Sequence, residues 1–220
     1  MQNNSIVTPQ QARSIEKRNK IIKAGFQLFT EKGYYNTNTA EIAKQAGVST
    51  GILYRYFADK KAIYLEAYQT CYENLYNTLL DQLQLLKNNF DLKEFLSYCI
   101  EYIISSHTST RSVHEEFEAM SHYDADVAEI FQTIKEQAIA EIASYLATLQ
   151  FSTFHAHEKI HLIIDLVESY CHEIVYNKEK CKDYSYLKNI IIDACIFILQ
   201  SPEGTQSADL SDSCDSQTKK

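Results

Sequence analysis

Between Thr39 and Lys60 the chain carries small, hydroxylic and basic residues whose spacing suits contact with a nucleic acid: Thr39, Ser49, Thr50, Gly51, Tyr54, Arg55, Tyr56 and Lys60. If the stretch from Thr50 to Phe57 is helical, at about 100° per residue, Leu53 and Phe57 share one side and Gly51 and Arg55 lie almost opposite. Burying the first pair turns the second outward. An outward glycine lets the backbone come close to a groove, and an arginine beside it can reach guanine O6 and N7 or a phosphate. The hydroxyls of Thr50, Tyr54 and Tyr56 flank this strip as donors to phosphates at the groove walls. Ser49 is the N-cap of the same helix. Thr39 and Lys60 each stand at the start of a predicted helix and offer donors to the DNA backbone, Thr39 aided by a helix N-terminus.

These side chains need rigid elements behind them. Thr8 and Pro9 form an N-cap and first helical residue, and Ile21, Ile22, Gly25, Phe26, Leu28 and Phe29 recur at helical spacing until Gly33. Asn36-Thr37-Asn38-Thr39 is rich in capping residues, so a short second helix is predicted from about Ala40 to Ala46, ended by Gly47. Thr50 to Phe57 form the third helix, and Asp59 caps a fourth. Ala43 at the crossing, Gly47 at the turn, and Val48 and Leu53 as anchors meet the demands of a helix-turn-helix in order.

Behind this head the helical stripes lengthen. Ile63, Ala67, Cys71, Leu75 and Leu79 mark a helix from Lys60 to about Leu86, interrupted at Asn88-Asn89. Others run from Leu92 to about Ser105 and from Val127 to Leu149, while residues 108–124 match no single pattern. Two closing stripes are the most regular: Ile160, Ile163, Ile164, Val167, Cys171, Ile174 and Val175, then Leu187, Ile190, Ile191, Ala194, Ile198 and Leu199. The only prolines are Pro9 and Pro202 and glycine is scarce, so an all-α fold is expected. The expected organisation is an N-terminal arm and helix-turn-helix over residues 1–60 and a helical domain over 61–200. A disordered tail over 201–220, rich in Ser, Asp and Thr, completes it.

The net charge of −8 would by itself argue against DNA. Its distribution reverses that. Residues 1–61 hold ten Lys and Arg against four Asp and Glu, a net +6, while residues 62–220 hold eleven against twenty-five, a net −14. A basic head is joined to an acidic body. The six cysteines form no C-x-x-C pair and are read as reduced thiols. The N-terminus has no apolar h-region and no apolar run approaches the roughly 20 residues that span a bilayer, so a soluble, cytoplasmic protein with no membrane partner is expected.

In the body, Tyr98, Tyr102, Phe117, Met120, Phe131, Tyr145 and Tyr170 are candidates to line a ligand pocket, although aromatics at helical spacing more often fill core. His157 and His161, with Asp165 a turn further on, read as a polar helix face. His107, His114 and His122 with Glu115, Glu116 and Glu118 form a second polar cluster. No metal site and no cofactor are expected from either, and no nucleophile stands with them in an enzyme-like pattern, so catalysis is not expected.

The head resembles the TetR family over about residues 15–68. The matching residues are Ile21-Ile22-x-Ala24, Leu28-Phe29-x-x-x-Gly33-Tyr34, and the run Thr39-x-x-Ile42-Ala43-x-x-Ala46-Gly47-Val48-Ser49-x-Gly51-x-Leu53-Tyr54-x-Tyr56-Phe57-x-x-Lys60. The resemblance implies a homodimer whose two closing helices pack against their partner's as a four-helix bundle, setting two heads on successive major grooves of an operator. That assigns Ile160, Ile164, Val167, Cys171, Ile174, Leu187, Ile191, Ala194 and Ile198 to a shared interface. It also implies that the third helix reads bases while Thr39, Tyr54, Tyr56 and Lys60 mostly contact phosphates. Lys61, where the family often has an acid, reads as extra positive charge near the DNA backbone. A repressor that leaves a palindromic operator when a small-molecule effector enters the body is the expectation. An activator, a form needing its ligand as co-repressor, and a helical ligand-binding protein that no longer reads DNA remain open.

Overall fold

A computed structural model describes residues 9–85, 91–177, 179 and 182–201. Among them every regular element is a helix: α1 (Pro9–Lys32), α2 (Thr39–Gln45), α3 (Thr50–Leu53), α4 (Lys60–Leu85), α5 (Leu92–Ser109), α6 (Arg111–Ser121), α7 (Ala125–Thr148), α8 (Ala156–Tyr176) and α9 (Tyr184–Gln200). Thr8, the expected tail beyond Ser201, Leu86, Asn88-Asn89, Cys181 and Cys214 lie outside the described residues. None of the described helices is long and apolar enough to cross a membrane.

The head is assembled by its caps. Asn38 accepts from the Glu41 amide at 3.0 Å to start α2. At the other end Gly47, at φ 68°, lets its own N–H reach Lys44 O at 3.2 Å and the Val48 N–H reach Ala43 O at 3.0 Å. That paired closure is a Schellman motif and sets the turn into α3. Ser49 Oγ caps α3 through the Ile52 amide at 3.3 Å, and Asp59 Oδ1 caps α4 through the Ala62 amide at 2.8 Å.

The third helix is shorter than expected, because the chain tightens after Leu53. Arg55 N bonds Ile52 O and Tyr56 N bonds Leu53 O, three residues back, between four-residue bonds at Tyr54 and Phe57. The tightening returns Phe57 to the core before α4 begins. The predicted sidedness survives it, with Leu53 and Phe57 buried and Gly51 and Arg55 exposed.

α1 crosses α4 closely at Gly25, where an added Cβ would come within 2.7 Å of Ile63 Cγ2. Ile21, Phe29, Ile42, Leu53, Ile63 and Tyr64 are fully buried here, and the same cluster continues without a break through Phe117, Met120, Val127 and Ile134 of α6 and α7. The hydrophobic core therefore runs across the expected division at residues 60 and 61. A second cluster joins α4, α5, α8 and α9 around Leu79, Ile100, Cys171, Ile192 and Cys195. Cys71, Cys99, Cys171 and Cys195 are free thiols.

The stretch that matched no pattern in the sequence contains the last turn of α5, all of α6 and the start of the turn into α7. The join at Thr110 has neither glycine nor proline. Thr108 Oγ1 instead bonds Ile104 O at 2.7 Å and Thr110 Oγ1 bonds Ser106 O at 2.9 Å, so hydroxyls compete with the backbone ladder and the helix breaks.

Candidate functional site

The helix-turn-helix presents a continuous polar face. Ser49, Thr50, Gly51, Tyr54 and Arg55 are all exposed. Open space surrounds Gly51, so its backbone can be approached directly. The Arg55 guanidinium has no hydrogen-bond or ion-pair partner among the described residues and is available to a ligand. Tyr54 is 53% exposed, and its hydroxyl lies 2.9 Å from Thr39 Oγ1, so the N-terminus of α2 and the end of α3 offer one joined pair of hydroxyls. Tyr56 is half-buried, with its hydroxyl 3.1 Å from Ser14 Oγ on α1.

Lys60 is placed differently from its neighbours. Its ammonium donates to Tyr34 O at 2.7 Å and Thr37 O at 2.9 Å and sits 4.1 Å from the centre of the Tyr34 ring. It satisfies carbonyls of the loop between α1 and α2. Burial holds its pKa below the ordinary lysine value, with the charge on Glu116 opposing that shift. Lys61 is also engaged inside the molecule. Its Nζ donates to Asp124 Oδ1 and Asp126 Oδ2, both at 2.7 Å, tying the start of α4 to the start of α7. The expectation of free positive charge at Lys61 is corrected by this pairing: the carboxylates nearest its ammonium lie too far along the sequence for local reading to pair them.

α6 links head to body. Ser112 Oγ donates to Thr30 O at 2.9 Å, a Glu116 carboxylate oxygen accepts from the Tyr34 amide, and Tyr64 OH donates to Val113 O at 3.0 Å. Gly33, at φ 81°, brings α1 to an end beside the Glu116 carboxylate, where an added Cβ would lie 2.6 Å from Oε1.

The body contains two adjoining cavities. The first, about 120 Å³, is almost wholly apolar and is lined from α4, α5, α7, α8 and α9 by residues including Leu79, Phe95, Cys99, Ile142, Ile160 and Val167. The second, about 240 Å³, is the more polar of the two and is lined by Tyr68, Tyr72, His114, Phe131, Lys135 and His172 among others. Tyr76, Ile164 and Glu168 border both. None of the seven aromatic and methionine candidates lines the apolar cavity. Phe131 lines the polar one and Tyr102 a surface cleft between α1, α4 and α5. Phe117 and Met120 are buried in the core that carries the head, and the Tyr170 hydroxyl caps Tyr184 O at 3.0 Å. Tyr98 stacks on Tyr102, and Tyr145 lines neither cavity. The apolar cavity is walled mostly by aliphatic residues, which periodicity alone marks only as core.

At the edge of the polar cavity α5, α6 and α8 bring together His107, His114, Glu168 and His172, one donor atom from each lying within 4.8 Å of the others. His114 Nε2 lies 2.8 Å from His172 Nε2, and His107 Nε2 lies 3.1 Å from Glu168 Oε2. Burial, with smaller contributions from His107 and His172, pushes His114 down to about 3, so its ring is neutral. Burial raises Glu168, but the three histidines outweigh it and hold the carboxyl below its ordinary value. The sequence groups His107 and His114 with His122, Glu115, Glu116 and Glu118, of which Glu118 lies 3.9 Å from His172 Nδ1, but does not show Glu168 or His172 as members. The available signal was the four-residue spacing of Glu168 and His172 on one helix. His157 and His161 instead meet carboxylates singly, at Glu136 (2.8 Å) and Asp165 (3.2 Å).

Of the residues assigned to a shared interface, Ile160, Val167, Cys171 and Ile191 are buried within the chain itself, while Ile164, Ile174, Leu187, Ala194 and Ile198 are half-buried. The apolar side chains that α8 and α9 leave uncovered are others: Leu162 (54% exposed), Ile190 (44%), Tyr186 (66%) and Phe197 (73%).

Residues 21–67, which include the whole of the exposed reading face, match the family model described as bacterial regulatory proteins, tetR family. The chain therefore carries a tetR-family head. Its TetR head is 52% identical over 48 residues to the HTH-type transcriptional regulator HbdR of Aromatoleum sp. (strain CIB), an alignment covering 22% of this chain and 21% of HbdR. It is 31% identical over 86 residues to IcaR, the HTH-type negative transcriptional regulator of the biofilm operon icaADBC in Staphylococcus aureus (strain Newman), covering 39% of this chain and 45% of IcaR. The chain thus spans less than half the length of these curated relatives. The fold extends further than the sequence likeness. A TetR-family regulator structure from Mesorhizobium loti matches with TM-score 0.69 at 19% identity, covering 85% of this chain and 96% of that one. The Thermus thermophilus TetR-family repressor FadR, solved in complex with lauroyl-CoA, matches with TM-score 0.60 at 18% identity, covering 87% and 100%. The helical body therefore shares its fold with these structures at low sequence identity.

Proposed function

We propose that this protein is a cytoplasmic transcriptional repressor that binds a palindromic operator as a homodimer and leaves it when a small apolar effector enters the body. The observation that carries this reading is the exposed strip of Thr50, Gly51, Tyr54 and Arg55, held by a capped helix-turn-helix within a basic head. A free guanidinium beside an uncovered glycine backbone suits base-edge readout in a major groove. Thr39, Tyr54 and the α2 N-terminus suit the flanking phosphates. The sign of regulation follows the negative regulator IcaR, and the effector follows the apolar cavity, together with the acyl-CoA bound by FadR. The homodimer follows the uncovered apolar face of α8 and α9. An effector displaces DNA only if it binds the released conformation better than the DNA-bound one.

Selection from random duplex DNA by the purified full chain tests the reading. The expected result is one enriched palindrome, bound by two chains. Weak binding that is indifferent to sequence and merely salt-sensitive would overturn it.

A further inference from the structure

We propose that His107, His114, Glu168 and His172 form a binding site for a divalent first-row transition metal ion, and that the ion clamps α6 in place. Three features point to a cation. His107 is 2% exposed, and neither of its ring nitrogens has a hydrogen-bond partner among the described residues. Glu168 Oε2 likewise accepts no hydrogen bond, and has only ion-pair approaches of 3.1 Å to His107 Nε2 and 3.8 Å to His172 Nε2. Buried polar atoms left this way need a ligand or a charge to satisfy them. In addition, His114 and His172 point ring nitrogens at each other across 2.8 Å.

The spacing fits. Metal–ligand bonds of about 2.0 to 2.2 Å put tetrahedral ligand atoms roughly 3.3 to 3.6 Å apart. The separations of 2.8, 3.1 and 3.8 Å within this cluster bracket that range. His114 is also oriented from behind. Its Nδ1 lies 2.8 Å from Tyr72 OH and 3.3 Å from Tyr68 OH, both phenols kept neutral by burial. A phenol oxygen accepting from Nδ1–H leaves the Nε2 lone pair free for an ion, the usual way a ligating imidazole is held. Three imidazoles and one carboxylate, without thiolate, suit zinc, cobalt, nickel or iron(II) rather than calcium or magnesium.

The site has a route to the head. His114 lies on α6 between Ser112, which bonds Thr30 O, and Glu116, which bonds the Tyr34 amide. Joining α5, α6 and α8 through one ion fixes the helix on which α1 rests. This regulatory consequence depends on the DNA-binding reading above; the metal site itself does not.

The test is titration of the chelator-treated full chain with Co(II) and Zn(II) in the absence of DNA, followed by operator binding with and without Zn(II). One ion per chain is expected, with cobalt d–d bands that lack a thiolate charge-transfer band, and with a raised Tm. His172→Ala and the near-isosteric Glu168→Gln should each weaken binding at least about 100-fold while circular dichroism stays native. His161→Ala, outside the cluster, should bind as wild type does. No binding by folded protein, or binding that survives both cluster variants, would overturn the site whatever the DNA result. Normal metal binding with operator affinity unchanged by Zn(II) would overturn the clamp.

Discussion

Arg55 and Lys60 stand five positions apart, and both looked like DNA contacts, yet their surroundings separate them. Arg55 is exposed and unengaged, so Arg55→Ala should cost operator affinity about 10- to 100-fold and change base preference at one position of each half-site. Equal loss on all sequences would make it a phosphate contact only. Lys60 closes two backbone carbonyls of the loop after α1. Lys60→Met is therefore expected to destabilise the fold by about 1–3 kcal/mol, read as a lower Tm, and to leave the salt dependence of DNA binding nearly unchanged. An unchanged Tm with a salt slope smaller by about one would return Lys60 to the phosphates. Basic character and spacing are legible in a sequence, but whether an ammonium faces solvent or a carbonyl pair depends on the loop that folds over it.

At the scale of elements, head and body are joined through α4, α6 and α7. Lys61 spans Asp124, the N-cap of α7, and Asp126. Hydrogen bonding to the Lys61 ammonium holds the Asp124 carboxyl below the ordinary carboxylate range. A carboxyl whose pKa is lower in the folded chain contributes stability above its unfolded value and loses that contribution as pH falls through its folded value. The stability gap between wild type and Lys61→Met should accordingly be widest near neutral pH and close as pH falls from about 5 toward about 3. Thermal melts across that range measure it, and a gap constant with pH would show that the pairing does not bind the two helices together. Helices α1, α2, α4, α8 and α9 were legible because their apolar stripes are regular, and α2, α4 and α9 each have a local side-chain cap. α6 was not, since its Ser112, His114 and Glu116 bond to partners more than forty positions away.

For the whole molecule, the apolar face that α8 and α9 leave bare among the described residues is the surface on which the proposed dimer would form. Leu162, Ile190 and Phe197 contribute little to the chain's own core, whereas Ile160, Val167 and Cys171 are fully committed to it. Phe197→Glu should give a folded monomer by sedimentation and circular dichroism, with operator affinity lower by about 100-fold or more as the second head loses its tether. A folded dimer would place the interface elsewhere on the surface. Charge at Ile191, by contrast, should unfold the chain rather than divide a dimer, because that side chain is buried within the chain.

The sequence by itself determined the helical class, the capped turn at Gly47, the outward strip beside Arg55 and the basic head on an acidic body, because each depends on neighbours within a few residues. Tertiary structure alone decided which charges are spent internally, which aliphatic residues wall the cavity and which stripe of the closing helices remains bare. It also decided that His107, His114, Glu168 and His172 meet. A helical stripe records that a face is buried but not what buries it, and three packed helices can gather donors whose separation in the chain carries no period.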